Sequence, residues 1–372
     1  MISKKTQEIT PFIAMDVLEK AHSMERAGVH IVHLEIGEPD FDTPACIKEA
    51  AIRALTAGHT HYTHSLGLVE LREAICRHYH NRYGVTVEPD QIVVTSGTSP
   101  AMFLLFAALL NPGDKVIISD PHYACYPNFV RFAGGEPVTI PVSEEDGFQY
   151  RPEHIQQKID DRTSAIFINS PSNPTGNVLG HERMQAIAAL PPYIISDEIY
   201  HGLVYEGEEH SILEYTDRAF VLNGFSKVYA MTGWRLGYVA APAHLRDVIE
   251  AMTMIQQYTF VCAPTPFQKA AIAAMDYDVS DFIEVYRKKR NLLYEGLRDK
   301  FELVKPGGAL YAFIKAPERA GGASKFVEQA IANNVLIIPG NVFSEKDTHF
   351  RISYATSDEK IRQGVEILSS MV

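Results

Sequence analysis

The stretch "NGFSKVYAMTGWRLGY" (223–238) places an amine, Lys227, and a guanidinium, Arg235, around a turn that also holds the chain's only tryptophan, Trp234. An amine beside an anion site is a candidate Schiff-base nucleophile, because desolvation and nearby cations favour its neutral, reactive form. An arginine fork suits phosphate, since it meets two oxygens at once. Three other stretches carry compatible chemistry. Ser96-Gly97-Thr98-Ser99 precedes an apolar helical run, so its N–H groups and hydroxyls make either an anion cradle or a plain helix cap. "SPSNPTG" (170–176) is a rigid turn that presents the Asn173 amide. "DEIY" (197–200) ends an apolar run with Asp197, a carboxylate costly to bury unless a cation faces it, and Tyr200 can reach the same space. Singly, each reads as a cap, a turn or a surface loop. Together they suit one planar, phosphorylated, protonatable ring.

Positioning these residues requires strands that all end on one side. From about residue 90 to 265, short β-branched runs alternate with helical stretches. The runs are "QIVVTS" (91–96), "KVIIS" (115–119), "EPVTI" (136–140), "SAIFIN" (164–169), "YIIS" (193–196), "AFVLN" (219–223) and "LGYVAA" (236–241). Periodic segments at 99–110, 124–133 and 181–190 lie between them, with turn signals at "NPGD", "AGGEP" and "PSNPTG". This alternation predicts an α/β fold with a largely parallel sheet covered by helices on both faces. In such sheets ligands bind beyond the carboxyl ends of the strands, where the polar groups above fall. After residue 265 a long helical stretch (about 266–300), "ALYAFIK" (309–315), a helix at 323–333 and "FRISYA" (350–355) predict a smaller α+β unit. The expected division is a large domain, 37–265, and a small domain built from 1–36 and 266–372.

Composition narrows the function classes. With 372 residues, 46% hydrophobic and 22% charged, the chain has ordinary globular make-up and length for about two domains. A net charge of −12 argues against nucleic acid or an anionic membrane as the main partner. The basic run "RKKR" (287–290) reads as a solvated helix face. Four scattered cysteines, without a CxxC pair, fit buried thiols in a reducing compartment and neither a disulfide frame nor a zinc site. The N-terminus lacks a signal-peptide core, and "AMFLLFAALL" (101–110) is too short to span a bilayer, so a cytoplasmic protein is expected. The amphipathic stretch 11–28 reads as core or dimer packing. His59, His61 and His64 do not have zinc-ligand spacing, and no metal is expected.

"SPSNPTG", "DEIY", "SKVYAMTGWRLG" and "FRISYA", with "HLEIGEPDFDTP" (33–44) and "HYTHSLGLVELREAI" (61–75), resemble in order the class I aminotransferases, fold type I enzymes that use pyridoxal 5'-phosphate. The similarity runs from about residue 28 to 355. It implies that Lys227 forms the cofactor aldimine and that Asp197 faces the pyridine nitrogen. Asn173 and Tyr200 would bond the ring's phenolic oxygen, and Tyr123 would stack on the ring. Arg235, Ser226, Ser96, Gly97 and Thr98 would hold the phosphate, joined by Tyr62 from a neighbouring subunit of a homodimer with shared active sites. Arg351, with Asn173 and the backbone near Gly37, would take the substrate carboxylate. The implied activity is amino transfer from an L-amino acid to a 2-oxo acid with ping-pong kinetics. A carbon–sulfur β-lyase on the same scaffold is the alternative. Ser99 stands where some dicarboxylate-specific relatives carry a lysine, and "QQYTFVCAPTP" (256–266) holds no cation, which favours neutral or aromatic substrates.

Overall fold

The computed structural model describes residues 2, 4–7, 9, 19, 23–26 and 28–372. Most of the amphipathic stretch 11–28 therefore lies outside the described residues. In chain order the strands are β1 (Val32–His33), β2 (Ile92–Thr95), β3 (Lys115–Asp120), β4 (Glu136–Pro141), β5 (Thr163–Asn169) and β6 (Tyr193–Asp197). They continue with β7 (Ala219–Gly224), β8 (Gly237–Ala240), β9 (Tyr311–Lys315), β10 (Val335–Leu336), β11 (Ile338–Pro339) and β12 (His349–Ser353).

Strands β2 to β8 form a seven-stranded sheet in the order β2-β8-β7-β6-β5-β3-β4, matching the seven apolar runs read from the sequence. Successive side chains point to opposite faces, and both faces are buried. In β2, Val93 joins one core cluster while Ile92 and Val94 join the other; in β7, Phe220 and Leu222 oppose Ala219 and Val221. The helix Thr98–Leu109 covers one face together with Arg246–Thr259. It is apolar nearly all round and buries Leu104, Leu105 and Phe106.

One strand departs from the parallel pattern. β8 runs antiparallel to both β7 and β2. The β7–β8 connection, residues 225–236, contains only the short 3-10 turn Thr232–Trp234, too little for a crossover. The chain reverses instead, so Lys227 and Arg235 stay at the sheet end where the other strands finish.

The smaller elements pack beside that end. β11, β12 and β9 form an antiparallel sheet in which Arg351 pairs with Ile338 and Phe313, and β1 pairs in parallel with β10. The helical stretch expected near 266–300 is two helices, Thr265–Met275 and Ser280–Leu297, interrupted at residues 276–279. The first packs on Ala45–Thr56 and Val69–Tyr83, the second on Asp358–Ser370. "RKKR" is only in part the solvated face the sequence suggested: Lys288 is exposed and Arg287 half-buried. Lys289 and Arg290 are buried and paired with Asp40 and Glu206, as charges removed from water must be. The cysteines are unpaired as expected but not buried: Cys46 is exposed and the other three half-buried. Among the described residues no helix is long and apolar enough to cross a membrane.

The 170–176 turn is tied to the smaller sheet. Gly307 and Gly308 N–H groups both donate to Gly176 O at 2.9 Å. Gly176 has φ +69°, and a Cβ there would stand 2.6 Å from Tyr311 O and 2.7 Å from Pro306 Cβ. Gly176→Ala should therefore destabilise the fold by about 1–3 kcal/mol in urea unfolding, from overpacking added to backbone strain. Gly147→Ala, with φ +57° and nothing within 4 Å, is the control for strain alone. Equal costs at the two positions would refute the close approach.

Candidate active site

Asp197 is the last residue of β6, and its carboxylate is almost wholly buried. Tyr126 O–H donates to Oδ2 at 2.7 Å and Ile199 N–H to Oδ1 at 3.2 Å. Burial pushes its pKa up from 3.8 to about 6, opposed by these two donors and by the charges of His201 and Lys227. An acid in this condition calls for a cation.

Lys227 and Arg235 are placed by the reversal after β7. Lys227 Nζ donates to Gly37 O at 2.7 Å, across from the segment just beyond β1. Arg235 takes the left-handed conformation, φ +52°, and its Nη1 donates to Thr232 O at 2.9 Å. Trp234 anchors this turn: its Nε1 donates to Thr43 Oγ1 at 3.0 Å, and its ring meets Phe267 edge-on at 5.2 Å. Gly97 lies directly against the guanidinium. A Cβ on Gly97 would come within 2.6 Å of Arg235 Nη2, so this backbone must be glycine, also because φ is +104°. The same glycine precedes the helix Thr98–Leu109, so the helix N-terminus and the guanidinium lie side by side, as an anion cradle requires.

Arg351 comes from β12. Its Nη1 donates to Asn173 Oδ1 at 3.1 Å and its Nη2 to Glu35 O at 2.8 Å. The guanidinium is sandwiched between the Tyr311 and Phe343 rings, at 4.5 and 4.7 Å, and its buried Nε has no protein partner. Asn173 Nδ2 lies 3.5 Å from Tyr200 OH, which shares a 3.0 Å hydrogen bond with Tyr311 OH; Tyr311 in turn donates to Gly37 O at 3.2 Å. Asn169 Oδ1 holds the Asn173 N–H at 2.8 Å and so fixes the turn.

These groups open onto one cavity of about 390 Å³, large enough for a cofactor-sized ring with a small acid. Of the residues singled out in the sequence, Gly37, Thr98, Tyr123, Asn173, Asp197, Tyr200, Ser226, Lys227, Arg235 and Arg351 line it. Ser96 and Gly97 form the turn immediately behind. Tyr62 lies apart, 82% exposed, on a shallow groove with His59, His61 and His64. Among the described residues no group of three or more His, Cys, Asp or Glu could hold a metal ion. Sequence reasoning missed Tyr126 and Tyr311. Tyr126 had a weak signal, three residues past Tyr123 in "DPHYACY"; Tyr311 had none, because only tertiary packing brings β9 here.

Residues 29–368 match the family of aminotransferases of class I and II. The chain belongs to that family. It is 39% identical to the (5-formylfuran-3-yl)methyl phosphate transaminase of Methanocaldococcus jannaschii, over 98% of both chains. It is likewise 39% identical to an aspartate/prephenate aminotransferase of Thermus thermophilus, over 98% of this chain and 97% of that one. Superposition on a T. thermophilus aspartate aminotransferase structure with maleate gives a TM-score of 0.95 at 38% identity, covering 100% of each chain. The protein is thus a fold type I, pyridoxal-phosphate-dependent aminotransferase acting on amino acids. All three relatives are named for transamination, none for carbon–sulfur cleavage.

The raised pKa of Asp197 has a consequence for stability. The folded state holds this proton more tightly than the unfolded chain, so the burden of the ionised carboxylate is absent well below pH 4 and complete above about pH 6. Asp197→Asn should make the cofactor-stripped protein more stable at neutral pH by on the order of 2 kcal/mol, while abolishing useful activity. Chemical denaturation across this range should show the advantage shrinking as pH falls. A gap independent of pH would contradict the assignment.

Proposed function

We propose that the cavity transfers the amino group of neutral and aromatic L-amino acids to a 2-oxo acid, with Lys227, Asp197 and Arg351 as its three fixed points. The observation that carries this reading is their shared opening onto one cavity, with a guanidinium-backed glycine turn at its edge. Among the described residues the lining fits pyridoxal phosphate: a buried acid in no direct ion pair, a glycine turn against a guanidinium, and one lysine on the wall. Bound there, the cofactor supplies a protonated ring that withdraws electrons from the substrate Cα.

This chain's own residues do the rest. Asp197 holds the proton at the ring nitrogen, and Tyr126 and Ile199 N–H keep that carboxylate aimed. Asn173 and Tyr200 orient the phenolic oxygen, and Tyr123 closes over the ring. Ser96, Gly97, Thr98, Ser226 and Arg235 hold the phosphate. Arg351 binds the α-carboxylate beside Asn173 and the Gly37 backbone. Lys227 Nζ would hold the cofactor at its aldehyde carbon, and as a free amine it would move the Cα proton as a general base. The same groups run the half-reaction backwards on a second oxo acid, so kinetics are ping-pong.

The substrate side chain meets a different surface. Among the described residues the cations on the cavity wall are Lys227, Arg235 and Arg351, and each already has a role; Ser99 adds only a hydroxyl. Ile36, Met102 and Ile338 supply apolar wall. Tyr62 serves the phosphate of a partner subunit in a homodimer. Exposed Tyr258, Phe260 and Val261 support this, because Thr265, just beyond them, donates to His61 O at 2.6 Å and so borders the Tyr62 segment. The expected location is the cytoplasm.

Lys227→Ala should lose turnover and the visible absorbance of the bound cofactor, and wild-type protein that takes up no pyridoxal phosphate would defeat the reading. Arg351→Gln should lower kcat/KM for the amino donor about a hundredfold, the worth of two charged hydrogen bonds, mainly through KM. A donor panel against pyruvate and 2-oxoglutarate addresses the side chain. Phenylalanine or leucine should exceed aspartate in kcat/KM by roughly tenfold or more. The reverse order would show that a cation other than these three serves the distal carboxylate.

A further inference from the structure

The turn that carries Asp197 has two faces. Asp197 and Tyr200 open onto the cavity. Glu198 and His201, the residues after each, enter a buried cluster on the opposite side. The turn is closed by His201 N–H donating to Glu198 O at 2.9 Å, so the two faces cannot move independently.

The cluster is dense in charge. Glu198 is fully buried, with Oε1 accepting from Ser211 Oγ at 3.1 Å and Ile212 N–H at 3.0 Å. Its Oε2 has no hydrogen-bond partner and lies 3.4 Å from His201 Nδ1. Glu209 Oε1 accepts from Arg82 Nε at 2.6 Å and from Tyr83 O–H at 2.7 Å, and lies 3.8 Å from His201 Nδ1. These contacts fix the tautomer. Tyr83 has one proton and donates it to Glu209, so the 2.7 Å contact between Tyr83 OH and His201 Nδ1 requires Nδ1–H as donor. That N–H also points its charge at two carboxylates. Burial raises the pKa of Glu198, and the charge of His201 acts against that rise; with Glu198 and Glu209 both ionised, Arg82 and a positive His201 balance them. The other groups packed around it are uncharged: Tyr79, Tyr229 and Tyr238 have pKa values raised by burial, and burial lowers that of His78 to about 4.

We propose that His201 is a positioning residue for the transamination site, its imidazolium held from behind by Glu198, Glu209 and Tyr83 so that Asp197 stays ionised and aimed. The inference rests on the role given to Asp197 above. The pKa directions agree with it. Burial raises Asp197 and the His201 charge acts against that rise; burial also opposes ionisation of Glu209, yet His201 and Arg82 hold it down to about 2. The result is a counter-ion tuned by a residue that does not line the cavity.

His201→Gln keeps a donor of similar reach and removes the charge. In holoenzyme loaded with ring-¹⁵N-labelled pyridoxal phosphate, the nitrogen signal reports where the Asp197–pyridine proton sits. In the variant it should move toward the unprotonated ring. kcat should fall about tenfold, the equivalent of one pKa unit at Asp197, with KM for the amino donor nearly unchanged. Tyr83→Phe removes the oxygen that accepts from Nδ1–H, together with its hydrogen bond to Glu209, but leaves the imidazole in place, and should move the signal the same way by less. It decides the matter if His201→Gln does not fold. Variants that fold and keep the wild-type signal and kcat would overturn the inference while leaving the transaminase reading intact. A wild-type ring signal already unprotonated would overturn the role of Asp197 itself.

Discussion

The molecule is organised around one costly placement, a carboxylate at the buried end of a central strand. β6 lies in the middle of the sheet with β5 and β7 on either side, so its last residue is out of reach of bulk water. A charge there needs donors and a cation, and the fold supplies donors from three directions: a tyrosine from the helix Tyr126–Phe132, a backbone N–H from its own turn, and an asparagine that bonds the Asp197 carbonyl. Removing water raises the strength of each remaining electrostatic contact. A stable soluble core would gain by an apolar residue at this position. Buried acids perturbed in this way cluster at functional sites.

The second constraint is the chain reversal between β7 and β8. A helical crossover would have carried Arg235 to the opposite end of the strands. The short return keeps it beside Lys227, and glycine makes that possible. Gly237 opens β8 where a Cβ would lie 2.8 Å from Gly97 C, and Gly97 in turn leaves room for the guanidinium. Three consecutive layers, β8 backbone, glycine turn and arginine fork, are stacked as closely as unsubstituted backbone permits.

Much of this was legible in the sequence, and the failures have physical reasons. All seven large-sheet strands were visible because short β-branched runs stood between strong turn signals. The direction of β8 was not, since side-chain alternation reads the same along either direction of a strand. The break at 276–279 lacks proline or glycine, so the two helices read as one. Buried Lys289 and Arg290 were misread because a local pattern cannot reveal acidic partners at Asp40 and Glu206. Of the cavity's lining, residues placed just after strands were visible in the sequence. Tyr311, which arrives from the smaller sheet, was not. A strand's end is marked by its immediate neighbours in the chain, whereas groups packed onto it from distant elements leave no local trace.

The stacking of Arg351 between Tyr311 and Phe343 carries one more consequence. An arginine on an open surface loses rotational freedom each time it grips a ligand, and that loss weakens binding. Here two rings, Asn173 and the Glu35 carbonyl already confine the guanidinium. The entropy was given up when the chain folded. In the function proposed above, a carboxylate arriving at this fork would meet a rigid partner, so its orientation would be decided before the rest of the molecule has settled.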